Sequence, residues 1–324
     1  MTERTNDASP ASPPLDANGR VADATDRNWV DRFMPGRLRP WLRLSRADRP
    51  AGTWLLLLPC WWSLALAIAA TGWRIEDFWL FSAMGLGAFL MRGAGCTWND
   101  ITDRNIDGEV ERTRSRPIPS GQVGVKGAAA WMIAQALIAF GILLTFNSYA
   151  IWLGIVALLP VAIYPFMKRV TWWPQIFLGL AFNWGALMGW AAHTGGLTAA
   201  PLILYLAGIA WTLHYDTVYA HQDKEDDALI GVKSTARLFA ERTHVWLIGF
   251  VALTTLGAGA AAALSLDGAA LNVALVGVAA FGAHLAWQIR RLDIDDVAVC
   301  LRLFRSNRDT GLILLAGFLA AGLV

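Results

Sequence analysis

Long apolar segments are the feature that most restricts the fold of this chain. A helix that crosses a lipid bilayer needs about 20 mostly apolar residues, and about nine segments of the sequence fit that description. They are residues 51–71, 78–97, 127–146, 149–166, 174–193, 201–220, 244–265, 270–289 and 309–324. Charged residues make up only 16% of the chain, whereas soluble domains carry nearer a quarter. We therefore predict an all-α integral membrane protein with about nine transmembrane helices.

The N-terminal residues have a different composition from the rest of the chain. Residues 1–40 are polar, contain several acidic residues and have no long apolar run. They therefore match neither a secretory signal nor an acid-poor mitochondrial transit peptide. We interpret residues 1–40 as a disordered cytoplasmic tail and residues 41–324 as a transmembrane domain. The acidic tail favours a bacterial inner membrane. Besides the lipid bilayer, the sequence indicates neither a nucleic-acid partner nor an obligate protein partner.

Lysine and arginine residues lie almost entirely on one side of the predicted membrane. Of the 27 such residues, all but Arg74 and Arg92 fall before the first apolar segment or in loops that follow an even-numbered one. A bias of this kind marks the cytoplasmic side of a membrane protein. We therefore expect the N-terminus and the large polar loops to be cytoplasmic.

An acidic cluster begins where the second apolar segment ends. It reads N-D-I-T-D-R-N-I-D, from Asn99 to Asp107. Helical residues three and four apart share a face, so Asn99, Asp103 and Asp107 would form one row of oxygen ligands. Asp100 would lie beside that row, close to Asp103 and Asp107 around the helix axis.

A second acidic cluster begins where the sixth apolar segment ends. It reads Y-D-T-V-Y-A-H-Q-D-K-E-D-D, from Tyr215 to Asp227. On one continuous helix, Asp216, Asp223 and Asp227 would lie within about 40° of one another. Asp226 would point elsewhere. The two clusters thus end two predicted spans on the same side of the membrane.

Converging carboxylates repel one another and need a compensating positive charge. Oxygen ligands suit hard cations, and Mg²⁺ in particular is held by one or two carboxylates together with substrate phosphates. The paired clusters therefore predict a Mg²⁺-dependent site for a diphosphate, in which the bound metal stabilises the charge of the leaving group. Each cluster alone could instead be a set of solvated charges at a helix end, but that explanation does not account for both.

The sequence resembles the UbiA superfamily of intramembrane prenyltransferases from about Arg46 onward. The resemblance is most specific in four motifs. They are R-G-A-G-C-T-W-N-D-I-T-D-R-N-I-D (92–107), R-T-R-S-R-P-I-P-S-G (112–121), F-N-W-G-A-L-M-G-W (182–190) and Y-D-T-V-Y-A-H-Q-D-K-E-D-D (215–227). It implies a ring of helices around a central cavity that is capped by cytoplasmic loops. It also implies transfer of a polyprenyl group from a polyprenyl diphosphate to C3 of 4-hydroxybenzoate, with Mg²⁺ as cofactor, in ubiquinone biosynthesis.

The same resemblance implies which residues act on the metal ion and the acceptor. Its metal ligands fall on Asn99, Asp103, Asp223 and Asp227. Asp100, Asp107 and Asp216 would support them in catalysis, and Asp216 could act as a base or orient the phenol of the acceptor.

Further polar residues are candidates for substrate binding. Phosphate oxygens need cationic partners, which we assign to Arg112, Arg116, Lys168 and Lys233. Arg46, with Arg49 as the alternative, is our candidate for the carboxylate of the acceptor. Asn183 lies within an apolar span and could contact substrate or only a neighbouring helix.

Other functions remain open at this stage. A member of the same family could use another acceptor. A divalent-cation transporter would also need carboxylates, although transporter sites usually lie near the middle of the membrane. A structural membrane protein would leave the paired clusters without a purpose.

Overall fold

The computed structural model describes residue 24, residues 28–108 and residues 113–324, and these ranges are helical without any strand. The α-helices are α1 (Trp29–Phe33), α2 (Arg39–Leu44), α3 (Ala51–Thr71), α4 (Glu76–Asp107), α5 (Val125–Leu143), α6 (Ser148–Val156), α7 (Leu158–Val170), α8 (Pro174–Phe182), α9 (Gly185–Thr194), α10 (Ala199–Ala220), α11 (Lys224–Leu229), α12 (Thr235–Phe239), α13 (Thr243–Ala263), α14 (Gly268–Arg291) and α15 (Val297–Ala321). Two short 3₁₀ helices, His221–Asp223 and Ala240–Arg242, adjoin α11 and α13.

Each predicted span coincides with one long helix or with two consecutive helices. In the part of the chain that the structure describes, the stretches that are long and apolar enough to cross a membrane are residues 51–71, 125–143, 148–170, 235–263 and 268–291. The protein is therefore an all-α integral membrane protein, as predicted. The number of nine crossings stays a prediction.

Two predicted spans are interrupted. The fourth divides into α6 and α7 near Ala157, where Pro160 has no N–H to donate to the carbonyl of the preceding turn. The fifth divides into α8 and α9 at Asn183 and Trp184. There the turn continues through a hydrogen bond from the Ala186 N–H to the Asn183 carbonyl (2.8 Å).

Helix α3 is largely buried inside the molecule, and it packs closely against α9. Trp62 is buried and donates a hydrogen bond to the Gly311 carbonyl of α15 (2.7 Å). Ser63 donates to the Ala186 carbonyl of α9 and accepts from the Trp190 N–H (2.7 Å). A Cβ atom on Gly189 would overlap the backbone of α3 at Cys60, so the two helices touch without intervening side chains.

Part of the segment that we assigned to the N-terminal tail is folded. Helix α1 and the start of α2 lie within residues 28–40, and the Trp29 indole donates to the Ala47 carbonyl (2.8 Å). Arg43 of α2 is buried and bonds Asp31 at 2.7 Å. The rest of the predicted tail lies outside the described residues, except residue 24. Residues 28–40 thus contact the helical domain, and the division of the chain at residue 40 stays a prediction.

A buried hydrogen-bond network joins α3, α4 and α9 at the end of the molecule away from the acidic clusters. Asp77 is fully buried, and its carboxylate contacts His193 Nδ1 (2.7 Å) and accepts from the Arg74 N–H (2.7 Å). The other ring nitrogen of His193 contacts the Thr71 hydroxyl (2.8 Å). These contacts hold the α3–α4 connection against the end of α9.

Replacement of Asp77 by Ala is expected to lower the stability of the protein by about 2–4 kcal/mol, because His193 and the Arg74 N–H lose a charged acceptor in a buried site. The midpoint of thermal unfolding in detergent measures the effect. Glu76→Ala changes the exposed neighbour and is the control. Equal unfolding midpoints for Asp77→Ala and Glu76→Ala would contradict this role of Asp77.

Candidate active site

Both acidic clusters reach one cavity of about 220 Å³. The cavity lies between the ends of α4, α7 and α10, the start of α8, and the segment from α11 to α12. Its polar lining consists of Asn99, Asp107, Thr113, Arg116, Tyr164, Lys168, Gln175, Asp216, Tyr219, Asp223, Asp227, Lys233 and Ser234. Carboxylates and cations that are far apart in the sequence thus surround a single space.

All three predicted acids of the second cluster line this cavity, but they do not lie on one helix. Asp216 is on α10, which ends at Ala220; Asp223 closes the 3₁₀ turn; and Asp227 is on α11. The prediction of one continuous helix is therefore wrong, although the convergence of the three carboxylates is correct. The change of helix type brings Asp223 and Asp227 back toward α10.

The first cluster lies on one continuous helix, as predicted, but only part of it faces the cavity. Asn99 and Asp107 are lining residues. Asp100 and Asp103 are fully buried and form ion pairs instead. The row of ligands predicted from helical spacing is thus divided between the cavity and the protein interior.

Each acid of the first cluster is paired with a cation from another segment. Arg46 Nη2 lies 2.5 Å from Asp100, and Arg116 Nη1 lies 2.7 Å from Asp107 and 3.4 Å from Asp100. The backbone of Arg46 has a φ of 57°, which is unusual for a residue other than glycine. Arg46 thus contacts an acid of the first cluster, and it does not line the cavity.

Asp103 is paired with two consecutive cations at the end of α7. Lys168 donates to one carboxylate oxygen, and Arg169 Nη2 lies 3.0 Å from the other. Among our predicted phosphate ligands, Lys168, Arg116 and Lys233 line the cavity. Arg112 lies outside the described residues. The Lys233 ammonium donates to the Val170 carbonyl (3.1 Å), so it also joins two sides of the cavity.

Asn183 and Arg92 lie away from the cavity lining. The Asn183 amide donates to the Gly179 carbonyl (2.9 Å) and to the Thr212 hydroxyl (2.8 Å). It therefore links α8 to α10, which is the helix-contact alternative considered above. The Arg92 guanidinium lies over the Phe182 ring at 5.2 Å.

Burial shifts the protonation of groups around the first cluster. It raises the pKa of the Asp107 carboxyl, and the Arg116 cation opposes that rise. It lowers the pKa of Arg49 to about 10, with repulsion by Arg116 acting in the same direction. It raises the pKa of Asp48, which lies 3.4 Å from Arg49, to about 6. Each ionised side chain therefore depends on the opposite charges nearby.

The donor atoms fit a magnesium ion that is held together with a substrate. The cavity offers amide and carboxylate oxygens from Asn99, Asp107, Asp216, Asp223 and Asp227. Within the described parts of the chain, no group of three or more His, Cys, Asp or Glu side chains is close enough to hold a metal ion. Mg²⁺ usually has only one or two carboxylate ligands from the protein when the phosphate oxygens of a substrate complete its coordination.

Comparison with known proteins assigns the chain to a family. Residues 56–319 match the model of the UbiA prenyltransferase family. This match covers most of the chain. The chain belongs to the UbiA prenyltransferase family.

Relatives in this family are similar over most of their length. The mitochondrial 4-hydroxybenzoate polyprenyltransferase of Rattus norvegicus is 50% identical over 298 residues, which are 91% of this chain and 78% of the relative. The mitochondrial 4-hydroxybenzoate polyprenyltransferase of Homo sapiens is 46% identical over 315 residues, which are 97% of this chain and 83% of the relative.

Solved structures of UbiA homologues share the fold. An apo homologue from Aeropyrum pernix K1 superimposes with a TM-score of 0.68 at 23% identity, covering 82% of this chain and 97% of the homologue. A homologue from Archaeoglobus fulgidus, bound to GPP and Mg²⁺, gives a TM-score of 0.67 at 20% identity and covers 88% and 100% of the two chains. At such identities the similarity concerns the arrangement of the helices.

The residues of this UbiA-family cavity region that the sequence analysis did not single out include Arg169, Gln175 and Tyr219. Arg169 was counted only as a charge that sets topology, yet it pairs with Asp103. Gln175 lines the cavity and accepts a hydrogen bond from the Thr235 N–H (3.2 Å). Tyr219 also lines the cavity. Its position within the second cluster was the available signal, whereas Gln175 lies in none of the motifs that the sequence analysis identified.

Proposed function

We propose that the protein transfers a polyprenyl group from a polyprenyl diphosphate to C3 of 4-hydroxybenzoate, a step of ubiquinone biosynthesis. The observation that carries this proposal is the single cavity at which both acidic clusters meet Arg116, Lys168 and Lys233. Such a cavity can hold a metal–diphosphate group. The acceptor is supported by the names of the relatives, which are about half identical to this chain over most of its length.

The donor half of the site consists of oxygen ligands and cations. We assign Asn99, Asp223 and Asp227 to Mg²⁺, which when bound would neutralise charge on the leaving diphosphate. Arg116, Lys168 and Lys233 would donate to phosphate oxygens. Arg112, which lies outside the described residues, stays a further candidate. Preorganised donors of this kind stabilise charge where it develops.

The remaining acids of the first cluster orient the cations. Asp103 fixes Lys168, and Asp100 and Asp107 fix Arg116. We keep Asp103 as a proposed metal ligand only through its resemblance to the family motif. Its ion pairs support a positioning role as well.

Fewer contacts in the structure support our assignment of the residues that bind the acceptor. Asp216 lines the cavity from α10, and it would accept a proton from the phenol or orient it. Arg46 is our candidate for the carboxylate of 4-hydroxybenzoate, and its present partner is Asp100. Asn183 supports the site through α8 and α10.

We also propose an orientation in the membrane. The cavity would open on the side that carries most lysine and arginine residues, which is the cytoplasmic side in a bacterial inner membrane. The relatives named above are mitochondrial, so they do not support a bacterial location, and the charge bias carries the orientation alone.

The proposal is tested with membranes that contain the protein, Mg²⁺, a polyprenyl diphosphate and 4-hydroxybenzoate. We expect 3-polyprenyl-4-hydroxybenzoate as the product, detected by mass spectrometry. Homogentisate and a naphthoate, offered in parallel, would reveal a different acceptor. Activity that survives both Asp103→Ala and Asp223→Ala would contradict the use of two clusters. Divalent-cation uptake into proteoliposomes without any prenylated product would favour the transporter.

A further inference from the structure

Arg237 of α12 holds the segment that follows the second acidic cluster. Its Nη1 atom donates to the Asp227 carbonyl (3.1 Å) and to the Val232 carbonyl. The Asp227 carbonyl belongs to the last turn of α11, and the Val232 carbonyl belongs to the turn that leads to α12; we call residues 227–232 the α11–α12 turn. One side chain therefore fixes both ends of the turn, and Asp227, a lining residue of the cavity, is at one of them.

The α11–α12 turn also contains a backbone hydrogen bond and a glycine with a positive φ. The Val232 N–H donates to the Asp227 carbonyl (2.9 Å), and Gly231 has a φ of 75°, a conformation that favours glycine. The carbonyl of Asp227 thus accepts from a backbone donor and from Arg237. A charged donor strengthens such a bond.

The same guanidinium also contacts the connection between α7 and α8. Its central carbon lies 5.3 Å from the centre of the Trp172 ring, within the range of a cation–π contact. The Lys233 N–H donates to the Lys168 carbonyl (2.9 Å). The segment that carries Asp227 is therefore attached to the segment that carries Lys168, across the cavity between them.

We propose that Arg237 is a positioning residue that holds Asp227 and Lys233 at the cavity by joining the α11–α12 turn to Trp172. This inference rests on the proposed function, because it assigns Asp227 to metal and Lys233 to diphosphate. Arg237 does not line the cavity and touches neither substrate. It acts through the backbone of the residues that do.

The test compares Arg237→Gln and Arg237→Lys with the wild type. Glutamine removes the cation, while lysine keeps the charge but cannot present the planar fork of donors. For Arg237→Gln we expect the Mg²⁺ concentration at half-maximal activity to rise about tenfold, with kcat at saturating Mg²⁺ nearly unchanged. Arg237→Lys should lie between the two. Arg242→Gln, which changes an exposed arginine of the 3₁₀ helix Ala240–Arg242, is the control.

Hydrogen–deuterium exchange supplies a readout that does not need activity. In Arg237→Gln the amides of Val232 and Lys233 should exchange about tenfold faster, while those of α10 keep their protection. Trp172→Ala should produce the same local change. Unchanged exchange at these amides, or a lower kcat with an unchanged Mg²⁺ requirement, would overturn the proposal. If the wild type forms no prenylated product, the proposed function fails, and the exchange experiment still decides whether Arg237 holds the turn.

Discussion

Replacement of Asp223 by Asn is expected to lower kcat/KM for the polyprenyl diphosphate at least about a hundredfold and to leave the unfolding midpoint nearly unchanged. The carboxylate lines the cavity at the end of the 3₁₀ turn, and we expect its negative charge to hold the metal–diphosphate group. Asparagine keeps the shape and one oxygen ligand but removes the negative charge. Initial rates of product formation at several Mg²⁺ concentrations measure the effect.

A matched control for this substitution lies on another connection. Asp295 is exposed between α14 and α15, and Asp295→Asn removes the same charge away from the lining residues. We expect wild-type rates for this variant. Rates for Asp223→Asn within about threefold of the control would show that the second cluster does not contribute in the way proposed.

Replacement of Asp103 by Asn is expected to have a different outcome, because it removes the partner of Lys168 and Arg169. Breaking a buried ion pair costs about 3–5 kcal/mol. The cost should lie below that range here, at about 2–3 kcal/mol, since both cations keep some contact with solvent. Activity should fall as well, because Lys168 loses the group that orients it toward the cavity. Thermal unfolding and steady-state rates, measured on the same preparation, check both effects.

The double variant Asp103→Asn/Arg169→Gln separates the two possible roles of Asp103. Removing one of the two cations should restore part of the stability if ion pairing dominates. If Asp103 is chiefly a metal ligand, the single variant should instead keep its unfolding midpoint and need more Mg²⁺. That second pattern would contradict the positioning role inferred from the structure.

The sequence predicts the helices well because bilayer-spanning segments are long and continuously apolar. Helix α4 runs from the apolar span through the first cluster without a break, so the helical row from Asn99 to Asp107 could be anticipated. The end of α10 at Ala220 could not. Local propensity does not distinguish a continuing helix from one that tightens into a 3₁₀ turn where tertiary contacts decide.

Long-range ion pairs were outside the reach of pattern analysis. Arg46 and Asp100 form an ion pair although they are 54 residues apart in the sequence, and Lys168 and Asp103 do so at a separation of 65 residues. Spacing along a helix predicts which carboxylates share a face of that helix. It does not predict which of them form ion pairs with cations from distant parts of the sequence. For the same reason Arg169 and Arg237 were counted only as charges that set topology, and the cations that pair with Asp100 and Asp103 were not identified.

The pairing of the first cluster has a consequence for the protein in the absence of its metal ion. The buried acids already have cations from the N-terminal region, from the connection after α4 and from α7. The polypeptide can thus complete its assembly in the bilayer before any magnesium arrives. In zinc fingers, by contrast, removal of the metal unfolds the chain. Cellular magnesium would accordingly govern the turnover of this protein without governing its abundance.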